Sequence, residues 1–597
     1  MSLNTQTTVS IGGQQFHQFH SLQLQQSLEG HHTFEILIGY DWLQKLGTGI
    51  FTAGREFLGK EVSIVIKPAE AANAKELIFN GLVTAVSAGK EGDGTHGYCV
   101  VKGSSPTILL DNEPHIQSFE QKSLSDIVSS CLKNCMPYAS QPTVAPRTGE
   151  SLKYTVQYKE SHYQFVRRLA ARYGEWFFYD GQKIIFGQYS PRKTELTHQV
   201  DLIDFDLQLQ VVANNSRFAN YEYRLDVPVD KETGGAAASG LYAGHAAEVS
   251  NRLYNKSSLF KIPQAFTSGA KAQLEHFAEA HQKSRQAQLA RVSGTSKHPG
   301  LRIGDTVSIN ESLYGKAHHG DFMVTSITHH CTGTGLYQNT FSGIPAEAAA
   351  PHVDLDAHPL SEPQSAIVTD NNDPKGLGRV RARLRWQSQG STPWMRLIAP
   401  HGGGGKGFYF VPEIGEEVWV DFEGGNPELP FVLGTAYNGN AKTEFGTAQN
   451  DLKVIKTRSG HTIRLDDTAG SENIVITDIS GNIITLNTKT STIDINAPET
   501  LNLNAKNINI LAKESIVVNA GENITSAAGE NISLHASKDH LLTASNSSVI
   551  VEKKSSMVAN EIEKTAQKVR VDSTAQNMEL VSSKKIDIQS AEKIRLF

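Results

Sequence analysis

From about Ile476 to Phe597, apolar residues recur in period-2 pairs, each followed by a small residue, on a beat of roughly eight. Ala497, Ala505, Ala512, Ala520, Ala528, Ala536 and Ala544 mark that beat, at intervals of 8, 7, 8, 8, 8 and 8. Ile493/Ile495, Leu501/Leu503, Ile508/Ile510, Ile516/Val518 and Ile532/Leu534 carry the pairs, with weaker copies at Val549/Val551, Val569/Val571, Ile586/Ile588 and Ile594/Leu596. Alternation predicts short strands with one apolar face. A fixed short period predicts a solenoid or fibre. An octad cannot cover its own apolar face and needs neighbours above, below and across. Two arrangements satisfy this: one chain coiling with three octads per turn, or three chains each supplying one face of a triangular prism. The octads alone do not decide between them. Polar residues such as Asn502, Asn504, Asn507, Asn509, Lys513 and Thr525 fall on the outward positions. If interwoven, about 15 octads stacked at roughly 4.8 Å make a shaft on the order of 70 Å.

Upstream the pattern is that of ordinary mixed, mainly β structure. Strand-like runs cover Thr33–Ile38, Glu61–Ile66, Leu77–Val86 and Tyr98–Lys102, with a Gly/Asp turn at Glu91–Gly94. Helical spacing predicts Leu124–Cys135, Ser161–Tyr173 ended by Gly174, and Gly269–Arg291, followed by a β element at Leu301–Ile309. The Pro/Ala-rich, aperiodic segment 346–365 reads as a linker. Residues 366–440 read as a small barrel of five or six strands: Val380–Trp386, Trp394–Ala399, Gly407–Val411, Glu417–Phe422 and Pro430–Thr435, with Gly/Pro turns between.

Composition narrows the function. A chain of 597 residues with net charge −6 and no basic cluster has no nucleic-acid footprint. The first residues lack a secretory signal pattern and no apolar run reaches membrane-spanning length, so assembly in the cytoplasm is expected. Four cysteines argue against a disulfide framework, and Cys131 and Cys135 are expected as buried thiols.

Candidate chemistry is weak throughout. The loop His401–Gly407 has neither the spacing nor the following helix of a phosphate loop. The pairs His31/His32, His318/His319 and His329/His330, with His17 and His20, point to opposite faces of strands and are expected as surface or turn residues. Glu413, Glu416 and Glu417 suit a solvated hairpin. The basic strand Arg379–Arg385 is expected to face neighbouring chains or water. No catalytic, cofactor-binding or metal-ligating residue is assigned, and no cofactor is expected.

Several ordered motifs carry a resemblance. They are Gly376-Leu377-Gly378-Arg379-Val380-Arg381 with Arg385-Trp386, then Pro393-Trp394-Met395-Arg396 and Phe410 through Val418. Asp421 through Pro427, Gly434 through Asn438 and Ile455 through His461 continue the series. With Ser118–Ile127, Tyr154–Ser161 and Phe165–Leu169, they resemble the VgrG spikes of type VI secretion and the hub and needle proteins of contractile phage tails. His162-Tyr163-Gln164 departs from the acidic-aromatic run usual there.

The resemblance implies a tube-docking domain over 1–345 built of tandem hub β-barrels and a few helices, and the linker 346–365. It also implies an OB-type barrel at 366–440, a neck at 441–475, and a needle at 476–597. The needle would be an intertwined triple-stranded β-helix, a prism in a homotrimer. Implied partners are a hexameric Hcp-like tube protein, a PAAR-type tip protein, effectors and baseplate proteins, with no nucleic acid. Assembly would be cytoplasmic and export would follow contraction.

A catalytic insertion is not expected, because Tyr437 and Ile455 are separated by only 17 residues and the repeats run to Leu596. The C-terminal Lys593, Ile594, Arg595, Leu596 and Phe597 are expected to bind the cap protein. The alternatives are the baseplate hub and needle of a phage tail or another contractile injection system, or a cell-wall-acting or glycan-binding module.

Overall fold

The computed structural model describes residues 5–16, 18–39, 50–69, 75–90, 97–235, 238, 240–262, 270–312, 317–354 and 356–595. It separates into two units. One comprises Met1–Lys456, Ile463–Ile474 and Asn487–Thr490, and the other Thr457–Thr462, Val475–Leu486 and Ser491–Phe597.

The first unit is dominated by one 13-stranded sheet serving two apolar cores. The first core gathers Val9, Ile11, Leu22, Leu24, Phe34, Ile36, Ile64, Phe79 and Val101 with the helix residues Phe165, Val166 and Leu169. The second holds Leu196, Val292, Val307, Ile309, Phe322, Val324, Ile327 and Phe341. The strand Ala317–Thr332 joins the two. It pairs antiparallel with Tyr337–Pro345 along one edge and, along the other, with Thr306–Glu311 through Ala317–Met323 and with Ser21–Ser27 through Ser326–Thr332. The expected tandem barrels are therefore fused through a shared ladder.

The predicted strands appear as Thr33–Gly39, Glu61–Pro68, Leu77–Lys90 and Gly97–Ser104. The predicted turn at 91–94 lies outside the described residues.

The helix His162–Tyr173 starts at a capping box. Ser161 Oγ accepts from the Gln164 amide at 3.1 Å, and Gln164 Oε1 accepts from the Ser161 amide at 3.0 Å. The departure from the family pattern at this position thus keeps the acceptor that the helix start needs. Gly174, at φ 65°, ends the helix.

Other helix boundaries differ from expectation. Leu124–Leu132 is α-helical and tightens to a 3-10 turn at Lys133–Cys135. The long helix runs only through Ala270–Gln286, because Ala290–Ser296 is already a sheet strand. The short β element after it is Thr306–Glu311.

The histidine expectation is corrected. His32 and His329 are fully buried. Gln26 bridges them, with its Nε2 3.2 Å from His32 Nδ1 and its Oε1 3.2 Å from His329 Nε2. Tyr337 OH lies 2.7 Å from His329 Nδ1. Burial pushes both imidazoles down from 6.5 to about 3, so they are neutral. All four cysteines are free and buried.

The segment after Ala348 is laid along the hub. Val353 N donates to Ser284 Oγ at 3.0 Å and Asp354 N to Ala171 O at 3.0 Å. The small barrel that follows has a four-stranded sheet in the order Arg381–Leu384, Gln364–Asp370, Glu417–Phe422, Pro430–Thr435. Five or six strands were expected. Trp394–Ala399 contributes only single bridges, Met395 to Val380 and Leu397 to Val432, consistent with the prolines that flank it. Gly407–Val411 is not a sheet strand. Gly402–Gly403 and Lys406–Gly407 form a two-residue ribbon instead.

Candidate assembly surface

The first candidate surface is the needle sequence itself. Strands form at Leu452–Lys456, Thr462–Asp466, Asn473–Thr477, Ile483–Asn487 and Thr492–Asn496. In three of them, Thr462–Asp466, Asn473–Thr477 and Ile483–Asn487, burial is inverted. In Thr462–Asp466 the polar Thr462, Arg464 and Asp466 are half-buried while Ile463 and Leu465 are exposed. The same holds for Ile474 and Ile476 against Asn473 and Thr477, and for Ile484 and Leu486 against Asn487. The apolar face that alternation builds is the face left open.

Among the described residues no strand follows Asn496, and every residue from 498 to 595 is exposed. The backbone is extended and bends at 498, 506, 513, 521, 529, 537 and 545, continuing at a similar spacing to 591. Apolar pairs recur on these extended stretches: Leu501 and Leu503 are 55% and 66% exposed, and Ile508 and Ile510 are 52% and 67%. Monomeric soluble proteins rarely show apolar patches so long. Extended backbone without ladder partners is likewise unfinished. Both deficits recur along the octads.

The second candidate is the contact of small barrel and hub within the first unit. Glu428, in the turn before Pro430–Thr435, is buried against the helix His162–Tyr173. Arg172 Nη1 donates to its Oε2 at 2.5 Å, Arg168 Nη1 lies 3.7 Å from Oε1, and Val156 N donates to Oε1 at 3.3 Å. Arg168 also holds Glu160 at 2.8 Å and the Val156 carbonyl at 2.7 Å. Around this centre Gln387 Nε2 donates to Tyr154 OH at 3.0 Å and to Ser118 Oγ at 2.9 Å, while Trp386 packs on Tyr154, Val156 and Tyr158. Arg381 pairs with Glu120 of the hub.

The expectation for the basic strand holds in part: Arg383 and Arg385 are exposed, while Arg379 and Arg381 find partners inside the chain. Arg379 is buried and clamps Asp373 at 2.6 and 2.9 Å, holding that carboxyl well below its usual range. Arg385 pairs with Glu417 at 2.9 Å. Sequence reasoning missed this weld because a buried Glu and two Arg 256 and 260 residues away share no local pattern.

The expected cap-binding residues are placed only in part. Lys593, Ile594 and Arg595 are exposed, and Leu596 and Phe597 lie outside the described residues. Among the described residues no cluster of three metal-ligating side chains occurs, and no helix is long and apolar enough to cross a membrane.

Comparison with known proteins matches residues 51–335 to the phage tail baseplate hub (GPD) family. Residues 364–437 match the type VI secretion system/phage-baseplate injector OB domain. The chain is 22% identical over 476 residues to the type VI secretion system spike protein VgrG1b of Pseudomonas aeruginosa, covering 70% of this chain and 60% of that protein. It is 23% identical over 444 residues to the spike protein VgrG3 of Vibrio cholerae, covering 67% and 42%. It thus spans less than two thirds of the length of these relatives. Its fold resembles that of VgrG in the Francisella PdpA-VgrG complex, with a TM-score of 0.53 at 9% identity over 83% of this chain and 88% of that one.

A hub sheet, an injector-type OB barrel and an octad needle in one polypeptide define a hub-and-needle protein of the contractile injection machines. Within that class, the two matched domains and the similarity to spike proteins support a VgrG family protein.

Proposed function

We propose that three copies of this chain wind into a spike that a contracting sheath drives through a target envelope. The observation that carries this reading is the inverted needle: an apolar face left open and a backbone left without ladder partners, both repeating with the octad. Three strands per layer close the apolar face and give each backbone a neighbour on both sides, so failure under compression requires many hydrogen bonds to break together. The weld at Glu428 passes the load from hub to barrel without a hinge. The work is mechanical and needs no catalytic residue.

The hub end would dock on a hexameric Hcp-like tube, and the needle end would carry a PAAR-type cap at Lys593–Phe597 together with effectors. What supports this reading is the chain's similarity to type VI secretion system spike proteins.

The test is export. In the producing bacterium the chain should reach the medium when the sheath is intact and be retained when the sheath gene is deleted. Release only together with phage particles would assign it to a phage tail instead.

A further inference from the structure

The OB barrel carries two exposed apolar patches of different shape, and they occupy different segments of it. One is an arm. The ribbon Gly402–Gly403 with Lys406–Gly407 is closed by Phe408 N donating to His401 O at 2.9 Å, and it presents Phe408, Tyr409 and Phe410 in a row. The ring centroids of Phe408 and Phe410 are 6.4 Å apart, and Tyr409 is 81% exposed. Gly407 is required for this arm: at φ 125°, a Cβ there would sit 2.5 Å from the His401 carbonyl oxygen.

The other patch is the outward face of the sheet. Val418, Val420 and Val432 point into the core, so Trp419 and Leu433 point out. Leu433 occupies the bulge beside Trp419. Ile398, hydrogen-bonded through its amide to Val432 O at 3.0 Å, flanks it. On the same strand face as Trp419, Glu417 is already paired with Arg385, so Asp421 is the carboxylate that borders this patch, whereas Lys406 borders the arm with positive charge.

A ring of three identical chains has heterologous contacts: one patch on each copy must meet a different patch on the next. A lone chain leaves both patches in water. Two complementary patches on one barrel are what such a ring requires. The barrels of a trimer would also be held close together, since only 14 residues separate Tyr437 from Leu452 at the start of the needle strands.

We propose that the aromatic arm Phe408–Phe410 of one copy seats on the Ile398/Trp419/Leu433 face of the next, with Lys406 beside the neighbour's Asp421. This rests on the trimer reading and goes further, because it names which residues meet. It makes the barrel ring an interlock, so that torque or compression entering one chain is shared by all three before it reaches the needle.

The native cysteines allow a direct test in the full-length chain. Cys99, Cys131, Cys135 and Cys331 are buried, and their thiols are pushed up to about 11 or 12, out of reach of maleimides at neutral pH. The chain carrying both Tyr409→Cys and Leu433→Cys is treated with a short bismaleimide and run under denaturing conditions, beside each single variant. The Tyr409→Cys/Ile398→Cys pair is run in parallel to allow for reach. Expected are covalent dimers and trimers from the double variants and monomers from the singles, since in the proposed contact Tyr409 meets the Ile398/Leu433 face of the next copy and not its own counterpart.

Native mass is measured on the same samples. A trimer that gives only monomers after cross-linking overturns the arm-to-face contact while leaving the trimer standing. Efficient linking by Tyr409→Cys alone also overturns it, since like would then meet like. A monomer by native mass would overturn both readings.

Discussion

The sharpest perturbation places one charge on either side of the needle backbone. Ile508 and Asn507 are neighbours on one extended stretch, and in a single chain both are exposed. A solitary chain would therefore tolerate Ile508→Asp and Asn507→Asp alike. In three interwoven chains they differ sharply, because alternation sends residue 508 to the axis and residue 507 to water. Ile508 is 52% exposed in one chain, so roughly half of the ~2 kcal/mol of its side-chain transfer, about 1 kcal/mol, remains to be gained on assembly. Three copies lose that gain in Ile508→Asp. Three carboxylates converging in one apolar layer add several kcal/mol each, through desolvation and mutual repulsion. The total is on the order of 5–10 kcal/mol per trimer. Asn507→Asp should cost less than about 1 kcal/mol. The assay is thermal melting by circular dichroism combined with limited proteolysis of the needle. Ile508→Asp should lower the needle transition by several degrees and open protease sites near the substitution, while Asn507→Asp should behave as the parent. Equal behaviour of the two variants would refute the inward assignment.

Three further outcomes follow from the same geometry. Glu428→Ala leaves Arg172 buried without its carboxylate, so hub stability should fall by about 3–5 kcal/mol in denaturant melts. Glu428→Ala combined with Arg172→Met should recover much of the loss, and failure to do so would show that the ion pair is not the element at work. The buried neutral His32 and His329 have folded pKa values of about 3, below the ordinary 6.5. Their contribution is complete above pH 6.5 and declines as pH falls toward 3, costing about 2 kcal/mol each by pH 5. Urea midpoints measured from pH 7.5 to 5 should therefore fall, and His329→Gln should flatten the slope; an unchanged slope would contradict this. Deleting residues 593–597 should abolish capture of a PAAR-type cap in pull-downs while the mass stays that of the parent assembly, and unchanged capture would remove the tip assignment.

The needle was legible because its signal is local and repeated. Ile508 and Ile510 with Ala512 state a strand face and a turn within five residues, and the structure places bends on the same beat. The OB barrel was legible for a related reason: Glu417–Phe422 and Pro430–Thr435 alternate, and each lies next to turn-forming residues. What stayed hidden depends on residues far apart. His329 reads as one of a surface pair until Gln26, 303 positions away, is seen to bridge it to His32. Arg379 reads as part of a solvated basic stripe until Asp373 folds back onto it. Phe408–Phe410 reads as a core strand, because three consecutive aromatics usually mean burial; the Gly402–Gly405 turn and Gly407 lift the segment out instead.

The central claim is that the octads close between chains and not within one. Native mass spectrometry of the full-length protein at low micromolar concentration tests it most directly. The account predicts a single species at three times the 65.1 kDa of one chain, persisting on dilution. A stable particle at the mass of one chain, with its needle protected from protease, would contradict it.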